Sequence, residues 1–179
     1  GGGRAVGLRG GEPPGYRDWD RLVLAMIENT SAAAGSAGGA RVVLPGTGYS
    51  CGPAATPSID EHTQPAPKGR KGEIRAELER LLAEAAPDVP SLIVRAGDFF
   101  GPRAGQSWFA QALAQKPLKR TLNPASRGVG HAWAYLPDLA QPIAELIDLP
   151  SERLRVAERV QFSGHLDATG HQMVDAIRR

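Results

Sequence analysis

Two short apolar segments with an amphipathic segment between them place the strongest constraint on the fold. The apolar segments read RVVLP at 41–45 and SLIVRA at 91–96, and neither alternates apolar with polar residues. A strand that is apolar throughout is typical of a sheet covered on both faces. Between them, residues 72–86 repeat apolar side chains at helical spacing: Ile74, Leu78, Leu81 and Leu82. Strand, helix and strand in this order predict an α/β protein with a parallel sheet.

The same alternation continues on either side of this unit. The other predicted elements are strands at 5–8 and 159–164, an extended segment at 132–137, and helices at 19–34, 107–115, 138–149 and 167–179. We expect Asp18 or Asp20 to cap the first helix and Asp138 to cap the helix that begins there. The strand after Arg41 is predicted to stop at Pro45, and DFFGPRAGQ at 98–106 is predicted to be a loop.

Composition excludes several classes of protein. The chain has 179 residues, of which 41% are hydrophobic and 22% charged, with a net charge of +2. Its basic residues are mixed with acids, so we expect no nucleic-acid partner. No apolar run approaches the length that spans a bilayer, so we expect no membrane partner either. The single cysteine, Cys51, forms no internal disulfide, which favours a cytoplasmic location.

Four segments, in order and spacing, resemble the extended short-chain dehydrogenase/reductase superfamily, in its NAD-dependent epimerase/dehydratase branch. They read RVVLPGTGYSCGP, GRKGEIRAELE, LIVRAGDFFGP and HAWAYLPDLAQPIAELI. The resemblance implies a Rossmann-like doubly wound parallel sheet, a small C-terminal substrate region and NAD or NADP as cofactor. It places the sheet core at about 4–100, and the substrate-side region, with interleaved final strands, at about 101–179.

Measured against this family, the chain is expected to be truncated at both ends. The family's N-terminal βαβ unit, with its glycine-rich pyrophosphate turn, has no counterpart, because GGGRAVGLRGGEPPG has no strand before it and no helix opening on it. The last predicted helix stops abruptly at Arg179. We therefore expect this chain alone to bind a dinucleotide weakly or not at all.

The family's catalytic tyrosine and lysine, four residues apart, have no counterpart at the matching positions. Matching the helix puts Gly69 at the tyrosine position and Glu73 at the lysine position. Lys71 lies two residues away, which turns it ~200° round a helix. We therefore expect its side chain to point away from the pocket, and the chain to resemble atypical members that lack the pair.

Other residues are candidates for the site. Pro45 matches the family's catalytic serine, so Thr47 and Tyr49 are the candidate catalytic residues; each also has a structural interpretation, Thr47 as a local backbone partner and Tyr49 as a packing residue. The candidate cofactor contacts lie at the carboxyl ends of the two central strands, where ligands of such sheets bind: Pro45, Gly46, Ala96, Gly97 and Phe99.

The candidate substrate contacts are Asp98, Trp108 and His131. Asp98 could bond a substrate hydroxyl or cap a turn, and Trp108 could wall a pocket or pack in the core. Arg95 is expected to pair with Asp98 or with another acid. The histidines lack metal-ligand spacing, so no metal site is predicted.

Two classes of function remain open at this point. The first is an NAD(P)-binding epimerase, dehydratase or reductase that acts on a small carbonyl, hydroxyl or sugar-like substrate. The second is a non-catalytic NAD(P)-sensing or regulatory binding protein on the same fold, which the missing pair favours. Either would have a small-molecule partner, and the resemblance is compatible with a homodimer.

Overall fold

The computed structural model describes residues 18–53, 58–105, 107–113 and 128–179. The predicted strand at 5–8 lies outside these residues. The described strands are β1 Val42–Thr47, β2 Ser91–Ala96, β3 Asp98–Phe100, β4 His131–Tyr135, β5 Ala157–Gln161 and β6 His165–Asp167. The described α-helices are α1 Trp19–Ser36, α2 Arg70–Ala85, α3 Leu136–Ile147 and α4 Gln172–Arg178. Short 3-10 turns cover Gly48–Ser50 and Ser151–Arg153, and a π-helical turn covers Phe109–Leu113.

These elements form two compact units. The first unit contains the described residues up to Arg95 together with Glu145–Gln161. The second contains the described part of Ala96–Ala144 together with Phe162–Arg179. No described helix is both long and apolar enough to cross a membrane.

The first unit is built on the sheet β1-β2-β5. Strands β2 and β5 run parallel, with Ser91 opposite Ala157 and Arg95 opposite Gln161. All six residues of β2 are buried, as its unbroken apolar sequence predicts. The helices α1 and α2 close one core with the sheet through Trp19, Val23, Ile27, Val42, Ile74, Leu78, Leu82 and Ile93. A parallel strand pair with helices around it confirms the predicted α/β class.

Three details of the first unit differ from the prediction. Strand β1 does not stop at Pro45 but continues to Thr47. Proline lacks an N–H, and β1 tolerates it because among the described strands it has one neighbour, β2. Asp18 occupies the N-cap position of α1, yet its side chain makes no capping hydrogen bond. Helix α2 begins at Arg70, two residues before the predicted start.

The second unit contains the mixed sheet β3-β4-β6. Strands β3 and β4 are parallel, whereas β4 and β6 are antiparallel. The prediction of a loop at 98–106 is therefore wrong at its start, because residues 98–100 form β3. The prediction of a cap at Asp138 is also wrong, since α3 begins at Leu136, directly after β4. The core of this unit is aromatic at its centre: Trp133, with Leu113 and Val174, packs against Phe100, Trp108 and Phe109.

The buried carboxylate of Asp167 joins β6 to the start of α4. It accepts hydrogen bonds from the Thr169 amide, the Thr169 hydroxyl and the Met173 amide, each at 3.1 Å. Burial alone raises the pKa of the Asp167 carboxyl, but these hydrogen bonds outweigh burial and lower the pKa overall.

Candidate functional site

The turn after β1 presents Tyr49 at the surface of the first unit. The Thr47 hydroxyl accepts a hydrogen bond from the Tyr49 amide at 3.3 Å, and the Ser50 hydroxyl donates to the Thr47 carbonyl at 3.0 Å. These bonds close a 3-10 turn over Gly48–Ser50. Ser50 is buried, whereas Tyr49 is 41% exposed. The turn therefore fixes the backbone while it leaves the phenol open to ligands.

Lys71 lies over the ring of Tyr49. Its ammonium nitrogen is 4.7 Å from the centroid of the Tyr49 ring and 5.9 Å from that of Trp19. The prediction that Lys71 points away is wrong, because α2 starts at Arg70 and its first turn packs against the turn after β1. A phenol and a primary amine are thus brought together from two elements rather than from one helix.

An open cleft of about 450 Å³ adjoins this pair. Its lining includes Tyr49 and the basic residues Lys68, Arg70 and Lys71. A Cβ on Gly72 would lie 2.5 Å from the Tyr49 carbonyl oxygen, so only glycine allows α2 to approach the turn this closely. A Cβ on Gly69 would meet no atom within 4 Å, so the backbone there faces open space.

A buried polar network supports the turn from below. The guanidinium of Arg95 donates to Glu79 through Nε at 3.0 Å and Nη2 at 2.6 Å, and through Nη1 to the Thr63 carbonyl at 2.8 Å. The Ser50 hydroxyl lies 3.1 Å from the same carboxylate and shares its proton between Glu79 and the Thr47 carbonyl. Burial alone lowers the pKa of Arg95, but the hydrogen bonds and charge of Glu79 outweigh burial and raise it.

The partner of Arg95 is therefore Glu79, which the sequence analysis did not select. A signal for it was present, since Glu79 follows Leu78 and precedes Leu82 by three residues on the inward face of α2. A charged residue on an apolar helix face needs a buried partner, and Arg95 on an apolar strand is the matching one.

In the second unit, the three predicted substrate residues come together. Nε2 of His131 lies 2.8 Å from a carboxylate oxygen of Asp98, and both side chains are partly buried. The Trp108 ring stands edge-on to His131 at 5.2 Å between centroids. Trp133 lies two residues along β4 from His131, and its ring centroid is 4.4 Å from that of the imidazole and 4.9 Å from that of Trp108. A carboxylate that holds an imidazole can bind a hydroxyl group or move a proton.

The predicted cofactor contacts have mixed surroundings. A Cβ on Gly46 would lie 3.0 Å from Ile93, and a Cβ on Gly97 would lie 2.3 Å from the Ala132 carbonyl oxygen. Packing within the protein thus accounts for both glycines. Pro45 is exposed, Ala96 is buried and Phe99 is partly buried. Within the described ranges, no group of three or more His, Cys, Asp or Glu side chains could hold a metal ion.

Comparison with solved structures identifies the fold, although no protein-family model and no curated protein matches the chain. The dTDP-glucose 4,6-dehydratase of Bacillus anthracis in complex with NAD aligns with a TM-score of 0.73 and 14% identity, over 89% of this chain and 52% of that one. The UDP-glucose 4-epimerase of Thermus thermophilus in complex with NAD aligns with a TM-score of 0.63 and 22% identity, over 84% and 51%.

An L-threonine dehydrogenase from Cupriavidus necator gives a TM-score of 0.72 at 17% identity, over 91% of this chain and 56% of that one. The chain thus spans about half the length of these structures. Likeness at such identities concerns the fold rather than the activity. The resemblance seen in the sequence is confirmed at that level: the chain has the α/β fold of the NAD-dependent dehydratases and epimerases, over about half of their length.

Proposed function

We propose that the chain is part of an NAD(P)-dependent protein of epimerase, dehydratase or reductase type, in which Tyr49 and Lys71 carry out proton transfer. The substrate is a small carbonyl, hydroxyl or sugar-like molecule. One observation carries the proposal: the Lys71 ammonium lies 4.7 Å from the centre of the exposed Tyr49 ring, beside an open cleft at the carboxyl end of β1. Ligands of doubly wound sheets bind at this end of the strands.

The pair has the chemistry that such a reaction needs. A phenol can donate a proton to a substrate oxygen that becomes negatively charged as the carbonyl is reduced. In the reverse reaction the phenolate takes that proton back. The nearby ammonium of Lys71 stabilises the negative charge that the phenol oxygen then carries. The Thr47 hydroxyl accepts from the Tyr49 amide, which leaves its own proton to donate to the substrate oxygen.

The cleft also fits one end of a dinucleotide. Open space beside Gly69 lets a ligand approach the backbone, and Lys68 and Lys71 supply positive charge for phosphate, whereas Arg70 is paired with Asp20 at 2.9 Å. When bound, the nicotinamide would supply or accept the hydride. The solved dehydratase and epimerase of the same fold contain NAD, which supports this assignment.

In the second unit, we assign Asp98 and His131 to substrate binding. Their 2.8 Å contact pairs an acceptor-rich carboxylate with an imidazole, and Trp108 stands beside them as an apolar wall. Such a set hydrogen-bonds hydroxyl groups and packs on the carbon face of a sugar-like ring. The carboxylate repels phosphate, so hydroxyl recognition is the better fit for this position.

A sensor without turnover is the competing function, and the replacement of the family's tyrosine and lysine by Gly69 and Glu73 favours it. The test is to incubate the full-length protein with the oxidised and reduced forms of NAD and NADP and a panel of small aldehydes, ketones and sugars. Nicotinamide absorbance reports a reductase, and chromatography of the products reports an epimerase or dehydratase, which returns the hydride without net oxidation. We expect substrate conversion that Tyr49→Phe abolishes. Tight cofactor binding by calorimetry without turnover on any compound would instead support the sensor.

A further inference from the structure

A second cleft in the molecule has no role in the proposed reaction. It lies within the second unit, has a volume of about 610 Å³, and is lined on one side by the aromatic residues Phe100, Tyr135 and Phe162. This volume falls in the range of small-molecule sites, roughly 300–1,000 Å³. We call it the aromatic pocket.

Two of the three aromatic walls are held in place by the sheet. Phe100 and Tyr135 are register partners on β3 and β4, and their ring centroids are 5.2 Å apart. Gly101 has a φ of 122°, and a Cβ there would lie 2.8 Å from the Tyr135 ring. Only glycine therefore lets the Tyr135 ring rest against the chain after β3. The pocket is formed before any ligand arrives, which lowers the entropic cost of binding.

The charge in the pocket has one sign. Asp138, in the first turn of α3, contributes a carboxylate to the lining. The Asp138 side chain is exposed, and among the residues that the structure describes it has no hydrogen-bond or ion-pair partner. None of the described lining residues is a lysine or arginine; the remaining polar side chains are Ser163 and His165.

Aromatic faces and an unpaired carboxylate recognise the same kind of ligand. The face of an aromatic ring carries partial negative charge, so three rings and a carboxylate together attract a cation. The carboxylate and the ring faces both disfavour an anion. A neutral apolar molecule could contact the rings, yet it would gain no attraction from the Asp138 carboxylate.

We propose that the aromatic pocket binds an organic cation, a quaternary ammonium or a protonated amine, with Asp138 as its counter-charge. The inference rests on the second unit alone and is independent of the proton-transfer pair at Tyr49. It assigns to the chain a ligand that differs in charge from a dinucleotide.

The test is calorimetric titration of the full chain with choline, and with the uncharged alcohol in which carbon replaces the choline nitrogen. The two probes have nearly the same shape, so their difference reports charge. We expect choline to bind at least about tenfold more tightly, in line with cation–π and ion-pair energies. Equal affinities of the two probes, or no heat from either at millimolar concentration, would overturn the proposal.

Variants then locate the site. Asp138→Asn should weaken choline binding by about tenfold or more and leave the neutral alcohol unaffected, whereas Asp148→Asn, just beyond α3, should change neither. Phe162 lies outside any helix or strand, and Phe162→Leu keeps an apolar side chain, so we expect this variant to fold. It therefore tests whether choline binds in the aromatic pocket if Asp138→Asn fails to fold. Choline binding unchanged in Phe162→Leu and in any folded Asp138→Asn would place the cation elsewhere and refute the assignment.

Discussion

The guanidinium of Arg95 and the carboxylate of Glu79 form a two-pronged ion pair in the interior, with contacts of 3.0 and 2.6 Å. Arg95 is fully buried and Glu79 is 6% exposed. Because Glu79 also accepts from Ser50, the pair ties β2 and α2 to the turn that carries Tyr49. The ion pair is therefore part of the support for the candidate site as well as part of the core.

Removing one member of this pair should destabilise the protein severely. Arg95→Met leaves the buried Glu79 carboxylate with only the longer, 3.9 Å contact to the partly exposed Arg159, and breaking a buried pair in this way costs about 3–5 kcal/mol. Urea denaturation of the wild type and the variant measures the loss. The double variant Arg95→Met/Glu79→Met removes both charges and should recover much of the stability. A double variant no more stable than the single one would show that the charge is not the cause.

Gly72 should be intolerant of even the smallest side chain. A Cβ there would lie 2.5 Å from the Tyr49 carbonyl and 2.8 Å from Pro67, so Gly72→Ala must push α2 away from the turn. In an unobstructed helix the same change would stabilise by about 1 kcal/mol. Thermal unfolding should show a lower Tm for Gly72→Ala than for Gly69→Ala, whose Cβ meets open space and which costs only a small capping term. A rise in Tm for Gly72→Ala would contradict the close contact.

The Asp167 carboxylate should make stability depend on acid pH. Its pKa is lowered in the folded state, so its contribution is complete above the ordinary aspartate pKa of 3.8 and disappears as the pH falls through the lower, folded value. At neutral pH, Asp167→Asn should cost on the order of 1–3 kcal/mol, because Thr169 and Met173 lose a charged acceptor. The gap in unfolding free energy should narrow as the pH falls below 3.8 and close once the pH lies below the lowered pKa of the folded state. If the difference in unfolding free energy between wild type and Asp167→Asn stays constant with pH, the hydrogen bonds to an ionised Asp167 are not its cause.

The sequence predicts a strand or helix well when the pattern that specifies it lies within the element itself. Strand β2 was predictable because six apolar or shielded residues in a row have no other stable environment. Strand β3 has three residues before a Gly-Pro pair, and it exists because its backbone pairs with β4, more than thirty positions later. No local pattern encodes such a pairing, so the loop prediction was wrong there.

In the candidate site, too, some residues can be predicted from local sequence and others depend on contacts between distant segments. Thr47 and Tyr49 could be selected because they follow an apolar strand, where ligands of parallel sheets bind. The position of Lys71 could not be predicted, because its angle round the helix, counted from the family's lysine position, points its side chain away from the pocket. Its actual neighbour, Tyr49, comes from a turn twenty-two positions earlier in the chain, and only the packing of α2 on that turn brings the two together.

If Tyr49 and Lys71 act together in proton transfer, as we propose, the kinetics of their single and double variants will show it. In the full-length protein with its best substrate, Tyr49→Phe should lower kcat on the order of 100-fold or more with little change in cofactor Kd. Lys71→Met should lower kcat by roughly tenfold to 100-fold, and the double variant should be no worse than Tyr49→Phe.

Arg80→Met, on the same helix but engaged with Glu77 and Glu84 outside the cleft, is the matched control and should leave kcat unchanged. The measurement is kcat and KM for the four variants and the wild type at one pH, together with their Tm values. Strong, non-additive losses are expected for the Tyr49 and Lys71 variants alone. Wild-type kcat in Tyr49→Phe, or losses from Lys71→Met no larger than from Arg80→Met, would contradict it.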